Sequence, residues 1–491
     1  MGDTISDSLN GMIVLFVQTL FADELPCGMM NHWDDVRNHV VPNIRITSDV
    51  KLERDALNPN FIQISSDNFV LKWGSDYITT GIEEDILASF EAVWTRQLVE
   101  WGMPAPFGTE SHLFNVYIGN TGSNAPEVRP GVGGYYTRDG QGWPLIVLNP
   151  SALSATLIAH EFFHALQDAS GSYGTAEGRW FWESTAEWAA AAMNPNSTQG
   201  VNAIGDYLAL SHESIDTFVH LFDTETEEER VYARYAYGSV LFPIYLHEIT
   251  GEELLIPQIW KEGDVWISPL HTIEMLLADR GLDFHDVWMD HNASTVFMDE
   301  YTYGGMYQSL AGYDWWDQWT GAGTAITEES SDISIEHLGF RVHRLSSTTE
   351  SKYRFQVWAD PIGTYDSIAE FRAFVMRRKG LEYQKIPLEM NDWFGEMILA
   401  DVDEFDDMYL VVGAWGDRYY SSFQDDEQFY YSFAMEGIPE PQYPQPEEEV
   451  FEDTLLKEDL MCGCSTSEPF SVCGLFSVLF VFYRRDRSTE S

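Results

Sequence analysis

His160, Glu161 and His164 lie within SALSATLIAHEFFHALQDAS, residues 151–170. If this stretch is helical, His160 and His164 share one face a turn apart, and both imidazoles can reach one Zn²⁺. Glu161 then stands beside the first histidine, off the direct line to the metal. A carboxylate there can take a proton from a metal-activated water and hand it to a leaving amine. Ala155, Ile158, Ala159, Phe162 and Leu166 give the same helix an apolar side. Histidines also occur on ordinary helices, so the pattern needs support from elsewhere in the chain. Zinc catalysis requires a third protein ligand and an open fourth position.

GRWFWESTAEWAAAAM, residues 178–193, is a second helix pattern, stopped by Pro195. Its Glu183 follows His164 after eighteen intervening residues, enough for a turn and an antiparallel return. Glu187 is one turn further on the same face. The flanking tryptophans and alanines make this helix apolar nearly all round, and buried carboxylates need partners.

H-E-x-x-H-x18-E resembles the gluzincin metallopeptidases, whose third zinc ligand is a glutamate on the next long helix. The W-x-x-E-x-x-A-E-W setting, Trp180 to Trp188, is also similar to a group of secreted bacterial proteins read as metalloproteases. The resemblance spans roughly residues 65–270, with its motifs confined to 153–193. It implies His160, His164 and Glu183 as zinc ligands and Glu161 as general base. Many gluzincins carry an acid at the position of Glu187 that holds the first zinc histidine by its other nitrogen. That acid is more usually aspartate, so the reach of Glu187 would differ. By sequence alone Glu187 could instead be the ligand, although Glu183 matches the spacing. Gluzincins often supply a Tyr or His to the oxyanion from the helices after the third ligand. RVYARYAYGSVLF, residues 230–242, offers Tyr235 and Tyr237, with Tyr237 favoured because it abuts Gly238; His220 and His247 are weaker alternatives. These tyrosines could equally line a core or groove.

The elements that must position these groups follow from the patterns around them. NFVLKW, LFNVYIG and PLIVLN read as strands, and EEDILASFEAVWTRQLVEWG as a helix ending at glycine. GVGGYYTRDGQGWP carries turn chemistry and suggests a hairpin. Strands leading into the H-E-x-x-H helix is the order of zincin catalytic domains. GGYYTRD or PLIVLN could be the edge strand that takes substrate backbone by strand addition. From Gly178 to about Leu310 the pattern is mostly helical. From about 335 to 436, RFQVWAD, FRAFVMRR, GEMILADV, MYLVVGAW and FYYSFAME are short, branched and aromatic-rich, the pattern of an all-β sandwich.

At 491 residues the chain is too long for one compact core, and two domains with tails are expected. Asp and Glu number 79 against 27 Lys and Arg, a net charge of -52. Such a surface repels phosphates and anionic lipids, which sets nucleic-acid binding aside. It fits salty surroundings, where screening relieves self-repulsion, and equally an ordinary acidic secreted protein. The four cysteines are Cys27, Cys462, Cys464 and Cys473, so the body between has no internal disulfide, thiolate metal site or cysteine nucleophile. GMIVLFVQTLFA, residues 11–22, suits a signal-peptide core, although no Lys or Arg precedes Arg37; a buried N-terminal element is the alternative. IPEPQYPQPEEEVFED, from 438 to 453, reads as an extended linker. Beyond it come a Cys-Gly-Cys, an apolar run over 469–483 and Arg484, Arg485 and Arg487. That order resembles C-terminal sorting tags of the myxobacterial type, which places the acidic body outside the cell; a plain C-terminal membrane anchor gives the same orientation.

The expected architecture is an α+β zincin-like catalytic domain followed by an all-β sandwich. Its segments are a signal peptide (1–22), an N-terminal extension or pro-segment (23–65), the metallopeptidase domain (66–310), the sandwich (335–436), the linker (438–460) and the tag (461–491). The expected activity is zinc-dependent peptide hydrolysis by an exported, monomeric protein acting on a protein or peptide, with membrane contact only through the tag. The alternative is a non-catalytic surface binding or adhesion protein with a structural or vestigial zinc site. The many carboxylates leave calcium binding open, although no D-x-[DN]-x-[DN]-G loop appears.

Overall fold

A computed structural model describes residues 51–54 and 61–438, except 123, 176–177, 196–200, 219–225, 297–316, 320–324, 329–332, 346–350, 361, 364–367, 381, 392 and 417–427. The expected signal peptide and most of the N-terminal extension, all four cysteines, the linker from residue 439 on, the tag and His220 lie outside these residues. The protein is α+β with a β-rich C-terminal region. Among the described residues no helix is long and apolar enough to cross a membrane.

The first layer is a five-stranded sheet of β1 (Ile62–Ser65), β2 (Phe69–Trp73), β3 (Phe114–Ile118), β4 (Gly134–Arg138) and β5 (Pro144–Leu148), in the order β1-β2-β3-β5-β4. Strands β2, β3 and β5 run parallel, and β1 and β4 close the two edges antiparallel. β2, β3 and β5 are buried along their whole length, which explains their unbroken apolar sequences. Helix α1 (Glu83–Val93) continues into a π-helical stretch, Trp94–Glu100. There the buried Gln97 donates to the carbonyl of Ala159, 2.9 Å away, tying the stretch to the histidine-bearing helix one residue before His160.

Helix α2 (Ala155–Ser170) is capped at both ends. Ser154 caps the start, its hydroxyl accepting from the Leu157 amide at 3.1 Å, and Gly171 ends it at φ 71°, the left-handed geometry a C-terminal glycine supplies. Helices α3 (Arg179–Met193), α4 (Val201–Ala209), α5 (Glu227–Gly238), α6 (Leu241–Thr250), α7 (Leu255–Glu262), α8 (Pro269–Ala278) and α9 (Phe284–Ser294) follow. The residues of α2 and α3 are nearly all buried, in a core that includes Trp101, Trp180, Trp182, Trp188 and Trp260.

The C-terminal region holds two further sheets. One contains β7 (Ala325–Glu328), β8 (Ser334–Glu336), β10 (Tyr353–Asp360), β13 (Met390–Asn391), β14 (Phe394–Leu399) and β16 (Gln428–Gly437). The other runs β12-β11-β15-β9-β6, from β12 (Glu382–Leu388), β11 (Ala369–Lys379), β15 (Asp407–Gly416), β9 (Gly339–Leu345) and β6 (Asp317–Trp319). Alternation along β15 serves two cores. Met408, Leu410, Val412 and Ala414 pack with Phe355, Val357, Phe429 and Phe433 of the facing sheet. Tyr409, Val411 and Trp415 join the main core with Trp288 and Met289 of α9. The β-rich region therefore packs directly on the helices, and the described residues form one compact unit.

Candidate metal centre

His160, His164 and Glu183 meet between α2 and α3, each offering one ligand atom, with all three atoms within 4.8 Å of one another. The two Nε2 atoms are 3.0 Å apart, and Glu183 Oε2 lies 3.3 Å from that of His160 and 3.5 Å from that of His164. Donors about 2.0–2.2 Å from a tetrahedral ion are spaced about 3.3–3.6 Å apart, so the two Glu183 spacings match a four-coordinate metal and the Nε2 pair sits slightly closer. Two imidazoles and one carboxylate suit zinc and similar transition metals better than magnesium or calcium.

The hydrogen bonds around the ligands point the same way. His164 Nδ1 lies 2.6 Å from Gln167 Oε1, an acceptor that a proton on Nδ1 would satisfy. His160 Nδ1 lies 3.2 Å from Glu187 Oε1, also an acceptor. With those protons on Nδ1, both imidazoles would offer an Nε2 lone pair to a metal at the centre, and Glu183 adds a carboxylate oxygen. Neither Glu183 oxygen has a hydrogen-bond partner, and the residue is 0% exposed. Three electron-rich atoms facing one another out of water demand a cation. Either a proton on His160 or a metal ion meets that demand. Burial pulls the His160 imidazole down, but Glu187 and Glu183 outweigh it and hold it well above 6.5. Burial likewise raises Glu183, yet His164 and His160 bring it down to about 2. The residues thus fit a divalent metal, which would replace the proton.

Glu161 is fully buried and points toward the edge strand: a Cβ built on Gly134 would lie 3.4 Å from Glu161 Oε1. Of the two strand candidates, GGYYTRD supplies the edge strand β4, whereas PLIVLN is β5, enclosed between β3 and β4. Tyr237 lies beside the site, its ring stacked over His160 with centroids 6.3 Å apart and planes at 11°. Tyr235 donates instead to the carbonyl of Glu213 at 3.1 Å, and His247 rests on Trp188. Glu187 sits on the outer nitrogen of His160, so Glu183 is placed among the ligand atoms and Glu187 behind them.

Sequence reasoning passed over three groups. Gln167 and Thr185 support His164 from behind. Asp168 accepts from Tyr136 at 2.5 Å and from Arg138 Nε at 2.7 Å, fastening β4 to α2. Gln167 stands three residues after His164, a spacing that brings helical side chains together, and that signal was visible. The partners of Asp168 come from a strand some thirty residues earlier and left no local trace.

No curated protein matches the chain. Among solved structures, a GH115 4-O-methyl-alpha-glucuronidase with specificity for decorated arabinogalactans is similar at 9% identity, over 69% of this chain and 54% of that one, with a TM-score of 0.14. The chain thus spans about half the length of that structure, and at this score the likeness carries no argument about fold or activity. The family model described as "Family of unknown function (DUF6055)" matches residues 60–357. That match covers more than half of the chain, and the protein belongs to the DUF6055 family.

Proposed function

We propose that the protein is a zinc-dependent peptidase of gluzincin type with a zincin-like catalytic region, exported to the cell surface or beyond. The observation that supports this reading is the triangle of His160, His164 and Glu183 donors, with Glu161, next to His160 in the chain, set against the edge strand β4. Bound there, zinc would polarise a carbonyl and lower the pKa of water. Glu161 takes the proton from the attacking water and delivers it to the leaving amine. Glu187 and Gln167 hold the two histidines in the tautomer that binds metal. Tyr237, stacked on His160, offers a hydroxyl to the developing oxyanion. The backbone of β4 supplies an edge on which an extended peptide can pair. The export assignment rests on the apolar and cysteine-containing ends of the sequence.

The burial of all three ligands, each no more than 1% exposed, favours a second reading in which the metal only clamps α2 to α3. Glu161 and Tyr237 have no task in such a clamp. The test is cleavage of a generic unfolded protein by the purified full chain. The peptidase reading expects cleavage that a chelator abolishes and zinc restores, and a Glu161→Gln variant that keeps zinc but loses cleavage. A Glu161→Gln variant of full activity refutes the mechanism. Zinc binding without cleavage by the wild type supports the clamp.

A further inference from the structure

The polar atoms behind His164 form a closed network. Gln167 Oε1 faces His164 Nδ1 at 2.6 Å. Gln167 Nε2 donates to the Trp182 carbonyl and to Thr185 Oγ1, each at 2.9 Å. The Trp182 carbonyl can only accept, so the amide must turn its NH₂ toward α3 and its oxygen toward the histidine. Thr185 is fixed in the same manner: its hydroxyl donates to the Phe181 carbonyl at 2.5 Å and accepts from Trp260 Nε1 at 3.0 Å. Trp182 stacks on the His164 ring, centroids 6.2 Å apart at 22°, and limits its rotation. Gln167, Thr185 and Trp182 are all 0% exposed, so no water competes for these bonds.

We propose that Gln167, locked by Thr185, is a positioning residue that sets His164 in its Nδ1–H tautomer and so directs the Nε2 lone pair at the metal. This inference rests on the metal-site reading above. An imidazole free to choose its tautomer would present a proton instead of a lone pair in part of the population. A neutral amide does this work without adding a charge, whereas the acid Glu187 faces the corresponding nitrogen of His160. Supporting partners of metal-bound histidines are commonly worth about 10–100-fold in metal affinity.

The test uses the full chain and Zn²⁺ alone. Zinc affinity is measured by competition with a chromophoric chelator for the wild type, Gln167→Leu, Gln167→Glu and Thr185→Val. The His164 tautomer is read from ¹⁵N imidazole spectra of the metal-free protein. We expect the Nδ1–H signature in the wild type. Gln167→Leu should lose it and bind zinc about 10–100-fold more weakly. Gln167→Glu still accepts from Nδ1 and should recover most of both, and Thr185→Val should fall between. An Nε2–H tautomer in the wild type overturns the inference. So does a folded Gln167→Leu with wild-type zinc affinity, or a Gln167→Glu as weak as Gln167→Leu, since only lost packing would then explain the effect. If Gln167→Leu does not fold, the wild-type tautomer and Gln167→Glu decide. Wild-type zinc binding with an indifferent Gln167→Leu refutes this inference alone; a wild type that takes up no zinc refutes the metal-site reading with it.

Discussion

Glu183 and Glu187 are one helical turn apart and chemically identical, yet their positions assign them different work, and removing each charge should have a different cost. Glu187 Oε1 faces the outer nitrogen of His160 at 3.2 Å, with its side chain 10% exposed. In Glu187→Gln an amide oxygen can still accept the Nδ1 proton, so only the charge is lost. A hydrogen bond to a charged group contributes about 1.5–3 kcal/mol and a neutral one about 0.5–1.5, a difference of about 1–1.5 kcal/mol. That corresponds to about tenfold weaker zinc binding. Glu183 Oε2 instead lies 3.3 and 3.5 Å from the two Nε2 atoms, among the donors themselves. Structural zinc sites gain about 10–16 kcal/mol from four ligands, so one ligand is worth about 2.5–4 kcal/mol, or about two to three decades of affinity. Zinc competition titrations of Glu183→Gln and Glu187→Gln at one fixed pH, with melting curves of the metal-free proteins as a folding control, separate the two roles. Equal losses, or the larger loss in Glu187→Gln, would refute the assignment and move the third ligand one turn along α3.

Three further outcomes follow from the geometry. Tyr237→Phe should keep zinc affinity within about twofold while lowering kcat about 10²–10³-fold, the usual loss for one oxyanion donor; unchanged kcat in a steady-state peptide assay returns Tyr237 to the core. Stability should fall as the pH drops below 6.5, because burial holds neutral His291 down to about 3 and His337 to about 4, while the unfolded chain takes up both protons. The stability these groups lend is complete above pH 6.5 and is lost toward those values at up to about 1.4 kcal/mol per pH unit for each. Urea titrations of His291→Leu should show a shallower acid slope than the wild type, and an equal slope counts against the assignment. Gly238→Ala should destabilise by about 2 kcal/mol or more, since its Cβ would fall 1.9 Å from the Ala203 carbonyl oxygen and force α5 from α4; a melting temperature within a degree of wild type would show that the helices yield freely.

What could be read from the sequence was what one helix decides by itself. The shared face of His160 and His164 needs only local geometry, and it is in place. The return of Glu183 required a second helix to pack antiparallel on the first, yet the apolar surround of α3 left it nowhere else to go. Strand order was a different matter. PLIVL is unbroken and apolar whereas GYYTR ends in Thr137 and the half-buried Arg138, a weak hint of an edge, and pairing with β3 is what places β5 inside. In MYLVVGAW the continuous apolar run already spoke against a strand with one wet face. β15 is buried on both sides, between the second sheet and α9, and a separate sandwich would have had to expose Tyr409, Val411 and Trp415. The network behind His164 was half visible. Gln167 is at the right helical offset, but a glutamine there has meaning only once the Trp182 carbonyl and Thr185 arrive from α3 to orient its amide. The candidate ligands follow from helical spacing, while the groups that face their outer nitrogens depend on tertiary contacts that no single stretch of sequence contains.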